Sequence, residues 1–189
     1  VTLYTIDGNK QQMELVEPSG EPVLPLTKHF FEFGGGKELS IYENKKLNLL
    51  RDATKLAILE KFFSDKAESL NLDFILSPTY SGPSEIPGES FYWGYTSFWN
   101  LTDYPNVVFP TKYHQDDKLD VYDENSLKLK QNQYEKKTWF KDDGKTIKYD
   151  PKDYIGGPVA LQLTGRRFHD EDIVAAVKVI SDCLQLSRR

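Results

Sequence analysis

Residues 91–110 read FYWGYTSFWNLTDYPNVVFP. Two tryptophans and three tyrosines stand there beside glycine, asparagine, aspartate and two prolines. A surface loop has no use for so many rings, and a plain core strand does not carry so many turn residues. The stretch predicts a shaped, partly buried aromatic wall packed against another layer. Within it Trp93, Tyr95, Trp99 and Tyr104 are candidates to line an apolar pocket, with an aromatic-rich core as the plainer alternative. Asp103 is expected either to satisfy loop backbone groups or to hold a polar group of a ligand. Val107, Val108 and Phe109 read as a buried strand closed by Pro110.

Upstream of the wall, residues 73–77 form a short apolar strand. It runs into SPTYSGPSEIPG (77–88), a loop of fixed and permissive backbone positions. Residues 39–65 carry a helical period, with Leu39, Tyr42, Leu49, Leu56, Leu59 and Phe63 near one face and a kink expected near 44–48. Before that, Phe30, Phe31 and Phe33 precede Gly34-Gly35-Gly36. No GKS, GKT or GxGxxG pattern accompanies the triplet, so it reads as a bend or hinge and not as a phosphate cradle. Three prolines and a glycine in residues 18–25 interrupt regular structure. Residues 1–6 and 12–17 read as a hairpin about Asp7-Gly8-Asn9.

Downstream, residues 112–152 are charged and weakly periodic, and read as an exposed excursion that Trp139 and Phe140 pin to the body. Gly156-Gly157-Pro158 then opens VALQLTG, where Val159, Leu161 and Leu163 alternate as in a partly buried strand. Asp170 is the expected N-cap of an amphipathic helix bearing Ile173, Val177, Ile180 and Leu184. Cys183 is expected to pack along its edge as an inert thiol.

The 189 residues suffice for one domain or for part of a larger one. A net charge of −5, with lysines scattered among acids, gives no footprint for nucleic acid or an acidic membrane. A single cysteine excludes an intrachain disulfide and fits a reducing compartment, so a cytoplasmic location is expected. No apolar run approaches the ~20 residues of a membrane span, and no signal peptide is visible.

His29, His114 and His169 are isolated, without the short spacing of a metal site. No GxSxG or HExxH sequence selects a nucleophile or metal, so neither metal nor cofactor is expected. A separate enzyme built on His114 or His169 would need a base, a nucleophile and a carboxylate brought together by folding. Asn100-Leu101-Thr102 is a formal glycosylation sequon, expected to remain unmodified in this setting.

Three stretches carry a resemblance. LDFILSPTYSGPSEIPG, YWGYTSFWNLTDYPNVVFP and GGPVALQLTGRRFHDEDIVAAVKVI occur in the order found in the C-terminal third of amidase-signature enzymes, and the aromatic stretch resembles their fungal acetamidase-like branch. The helix with RDATKLAILEKFF resembles the element before the SP loop, so the likeness covers most of residues 21–184. It implies an α/β fold: a mixed β-sheet flanked by helices, of which residues 1–189 make a partial domain, incomplete as an isolated chain.

The resemblance also implies hydrolysis of an amide carbon–nitrogen bond. The intact family's serine nucleophile is linked through a second serine to a lysine base, and backbone amides stabilise the oxyanion. Those three residues lie in a signature region that this sequence does not contain. Ser77, Ser81, Ser84 and Ser97 do not match the family's catalytic serines, and no catalytic residue is carried over. The expected partners are therefore the missing N-terminal part of the amidase domain and, in the intact enzyme, a small amide. A noncatalytic binding or assembly module derived from the same fold is the alternative.

Overall fold

A computed structural model describes residues 2–121, 140 and 147–186. The chain divides into two compact units, Val1–Asn71 and Leu72–Arg189.

The first unit is helical. A 3-10 turn, Thr2–Tyr4, leads to α1 (Lys10–Val16), where the hairpin was expected. The Asp7-Gly8-Asn9 signal is a turn, with Gly8 and Asn9 at φ 68° and 67°. Its outcome is a helix start because the Asp7 carboxylate accepts from the N–H groups of Asn9 (3.0 Å) and Gln11 (2.9 Å). Those bonds hold its carboxyl below the usual aspartate range, the Gln11 N–H contributing most.

Helix α2 (Pro25–Phe33) starts with proline in its first turn and ends in the glycine triplet. Gly34 acts as a close-packing point: a Cβ there would lie 2.2 Å from Thr5 Oγ1. Helix α3 (Ile41–Ile58) opens with a capping box in which Glu43 N–H donates to Ser40 Oγ (3.2 Å) and Ser40 N–H donates to Glu43 Oε2 (2.8 Å). No break occurs at 44–48. The irregularity falls at Leu59–Phe63, which winds as a π-helix.

The second unit is built on a three-stranded sheet, β1 (Phe74–Pro78), β2 (Asn106–His114) and β3 (Pro158–Gly165), in spatial order β1-β3-β2 and antiparallel throughout. Register places Leu163 between Leu76 and Val107, and Leu161 between Pro78 and Phe109. Strand β2 runs through Pro110 and does not stop there, with a register irregularity between Pro110 and His114. As β2 lies at an edge of this sheet, the missing proline N–H costs no ladder bond on the β3 side.

Helix α5 (Asp170–Leu186) covers one face of the sheet. Phe109, Leu163 and Ile173 form its buried centre, ringed by Phe74, Val107, Leu161, Ala176, Val177, Ile180 and Leu184. All four residues of the expected apolar stripe therefore face the sheet. Gly165 allows the close crossing, since a Cβ there would meet Ile173 Cγ1 at 2.6 Å. The helix begins at Asp170 itself, so Asp170, Glu171 and Asp172 all stand in the first turn. Cys183 is exposed and not packed along the edge.

Of the excursion expected at 112–152, residues 122–139 and 141–146 lie outside the described residues, Trp139 among them. Residues 112–114 belong to β2, and Pro151–Tyr154 is a 3-10 helix with Tyr154 buried. No described helix is long and apolar enough to cross a membrane.

Candidate functional site

The aromatic wall contains a helix. Residues 91–93 are irregular, α4 spans Gly94–Thr102, and Asp103 reverses the chain into β2. Tyr95, Trp99 and Thr102 recur at spacings of four and three, the one helical signal in a stretch of weak helix formers. Gly94 at the helix start leaves room for the neighbouring ring; a Cβ there would stand 2.1 Å from the Tyr92 hydroxyl.

The five sequence-predicted residues separate by environment. Trp99 (8% exposed) and Tyr104 (6%) are buried together, their rings edge-to-face with centroids 6.2 Å apart. Burial raises the Tyr104 phenol above the ordinary tyrosine range. Phe98 meets Trp99 at 4.9 Å, also edge-on. Trp93 and Tyr95 are half-buried, and Tyr95 packs edge-on against Tyr92 at 5.8 Å.

Asp103 is exposed. It stands in the left-handed region at φ 58°, with its N–H returned to the Trp99 carbonyl. The Asp103 side chain pairs with the guanidinium of Arg167, whose Nε also donates to the Asp103 carbonyl at 3.0 Å. Of the two roles open to this acid, the observed contacts are those of a backbone anchor.

What fixes the wall to the sheet is Gln162, which stands between Leu161 and Leu163 in the alternating strand. It is 1% exposed. Gln162 Nε2 donates to the carbonyls of Pro78 (2.7 Å) and Tyr95 (2.9 Å), and its Oε1 accepts from Asn106 Nδ2 (3.0 Å). Asn106 also donates to Thr164 Oγ1 at 2.6 Å. One amide thus joins the end of β1, the first turn of α4 and the start of β2. The signal for it was available: a glutamine between two leucines is buried when both faces of the strand are covered.

The proline-rich loop after β1 is held by a second set of contacts. Ser84 N–H donates to the Pro158 carbonyl at 3.0 Å. Thr79 Oγ1 donates to the Ala160 carbonyl at 3.2 Å. The Tyr154 hydroxyl donates to Glu85 Oε1 at 2.6 Å, and the Tyr154 ring stacks on Tyr149 at 5.0 Å. Burial first, and the Glu85 hydrogen bond second, push the Tyr154 phenol well above its ordinary range. Lys148 pairs with Glu89 and sits 5.0 Å over the Phe91 ring. At the foot of this assembly Gln115 N–H donates to the Gly157 carbonyl (2.9 Å), and Gly156 N–H returns to the Gln115 carbonyl (3.0 Å).

Ser77 in β1 and Ser81 within this loop have buried hydroxyls with no hydrogen-bond partner among the described residues. The histidines are dispersed: His29 on α2, His114 with Nδ1 3.2 Å from the Lys112 carbonyl, and His169 with Nδ1 2.8 Å from Asp172 Oδ2. Asn100 of the sequon is exposed, and Thr102 is buried with its hydroxyl donated to the Phe98 carbonyl at 2.8 Å.

No family model matches the chain. It is 36% identical over 180 residues to a Schizosaccharomyces pombe protein assigned as an amidase, covering 95% of this chain and 31% of that one. The acetamidase of Emericella nidulans is 28% identical over 183 residues, covering 96% of this chain and 31% of its own length. Among solved structures, fatty acid amide hydrolase matches 96% of this chain and 30% of its own at a TM-score of 0.81 and 36% identity.

A sheet with α5 on one face and the aromatic helix tied to the other by Gln162 matches a segment of an amidase-signature fold, and over that C-terminal part the chain is similar to the family. Within the family its likeness is to the fungal acetamidase-like branch, over the C-terminal part. The chain spans about a third of the length of the curated relatives it matches.

Proposed function

We propose that this chain is the C-terminal segment of an amidase-like hydrolase and supplies scaffold and pocket wall to a site whose attacking groups lie elsewhere. The observation that carries the reading is a match running through 96% of the chain to an amide hydrolase at a TM-score of 0.81. The reaction of the intact enzyme is hydrolysis of a small carboxylic amide to acid and ammonia, or of a related amide to acid and amine. The aromatic rings of Trp93, Tyr95, Trp99 and Tyr104 form the apolar side of the chamber, and Asp103 holds the turn behind it. The missing nucleophile, relay serine and lysine base come from the upstream part of the amidase domain. The single cysteine supports a cytoplasmic setting, and the net charge of −5 gives no support to a nucleic-acid partner.

The test is amide turnover. The isolated chain is expected to release no ammonia from small amides above a matched blank. Turnover is expected when the chain is co-expressed with the part of the S. pombe relative that lies outside the match. Robust turnover by the isolated chain, abolished by Ser77→Ala or Ser81→Ala, would overturn the reading. A tight complex that never hydrolyses an amide would favour the noncatalytic module.

A further inference from the structure

Helix α3 buries Ile58 but leaves an apolar stripe uncovered. Tyr42, Leu49 and Leu56 stand seven residues apart and share one face. They are 66%, 70% and 54% exposed. Ile41, next to Tyr42 at the helix start, is 78% exposed. Asn44, Leu47, Asn48, Arg51, Thr54 and Lys55 are half-buried and Ile58 is buried, and Asn48 Nδ2 donates to the Asn44 carbonyl at 2.9 Å. A surface helix ordinarily buries the apolar stripe and solvates the polar one. An apolar stripe left exposed marks a contact surface whose other half is elsewhere.

From this geometry we infer that the Tyr42–Leu49–Leu56 face of α3 is the seat of the upstream part of the amidase domain. The inference rests on the functional reading above and adds the place of contact. The remaining length of the relatives, of which this chain matches only 31%, supplies an occupant of suitable size. The rim is of mixed sign, with Lys45, Lys46 and Asp52 beside the stripe, and Lys46 Nζ lies 4.7 Å over the Tyr42 ring. A mixed rim around apolar anchors suits a protein surface better than an acidic lipid surface, which would favour a rim of lysines and arginines alone.

The experiment co-expresses the tagged upstream part of the S. pombe relative with this chain, as wild type, L49K, L56K or L49M. Wild type and L49M are expected to co-purify, with at least tenfold less of L49K and L56K retained. All four are expected to share one far-UV spectrum and melting profile as lone chains. If L49K and L56K co-purify like wild type and turnover persists, the seat is elsewhere and the functional reading survives. If wild type neither co-purifies nor confers turnover, both fall. In a C183S/L49C chain alone, a maleimide is expected to label Cys at 49 at the rate of a free peptide thiol. Protection in the lone monomer would mean that residues 72–189 cover the face. A dimer abolished by L49K would mean that a second copy does. Either result overturns the assignment.

Discussion

Gln162 uses every polar atom of its side chain, and that is why it holds the wall in place. Q162L keeps the volume but removes the bonds that Gln162 makes to the Pro78 and Tyr95 carbonyls and one of the two that Asn106 Nδ2 donates, the other going to Thr164 Oγ1. A buried polar group stranded in this way costs ~1–3 kcal/mol. Urea unfolding of Q162L is expected to show a loss of about 3 kcal/mol; a loss below about 0.5 kcal/mol would mean water replaces the amide. Tyr154 makes a different prediction, in pH. Its phenol is raised by burial, so the folded state keeps the proton that the unfolded chain releases near pH ~10. The stability this represents is complete below that pH and is lost as pH rises above it. Y154F is expected to flatten the alkaline fall in melting temperature, with Tyr104 and Tyr149, both also raised by burial, supplying what remains of the slope. An unchanged slope in Y154F would sink this assignment.

At the scale of elements, α4 behaves as a packed rib. W99A removes a ring that touches both Phe98 and Tyr104. It is expected to cost ~3–5 kcal/mol in a chemical melt. Lys178→Ala removes only an exposed pair with Asp182 and is expected to cost less than about 0.5 kcal/mol. Equal effects would contradict the rib.

The elements legible in sequence were those whose burial is decided within a few residues: β1, β3, and α5 with its four-three-four spacing. Three others depended on information that is not local. Asp-Gly-Asn serves a hairpin and a helix start equally well, and the Asp7 side chain chose the second. Glycine, threonine, serine and asparagine masked α4, which forms because Trp99 and Thr102 are buried in the tertiary structure. Pro110 ends a central strand but not an edge one, and edge position is a property of the sheet. The wall residues were legible as aromatic, whereas the glutamine, tyrosine and glutamate that fasten them were not, because polar residues in a strand or loop read by default as solvated.

For the whole molecule, the distribution of indoles is useful. Trp93, Trp99 and Trp139 all lie in Leu72–Arg189, and none lies in Val1–Asn71. Indole emission is therefore a reporter of the second unit. Ile173 is fully buried at the centre of that unit's core. I173A is expected to bring the emission transition to lower denaturant, by ~2–5 kcal/mol in free energy. An unmoved transition would show that the α5–sheet contact is not what holds the unit together.

The paired bonds between Gln115 and the Gly156-Gly157 backbone are a clasp at the neck of a long detour. A clasp of that kind separates length from shape: the polymer between its jaws can grow or shrink while the strands on either side keep their register. Closing a longer detour costs only ~0.6 kcal/mol for each doubling. Evolutionary insertions and deletions would be tolerated beyond the clasp far better than one disrupted bond within it.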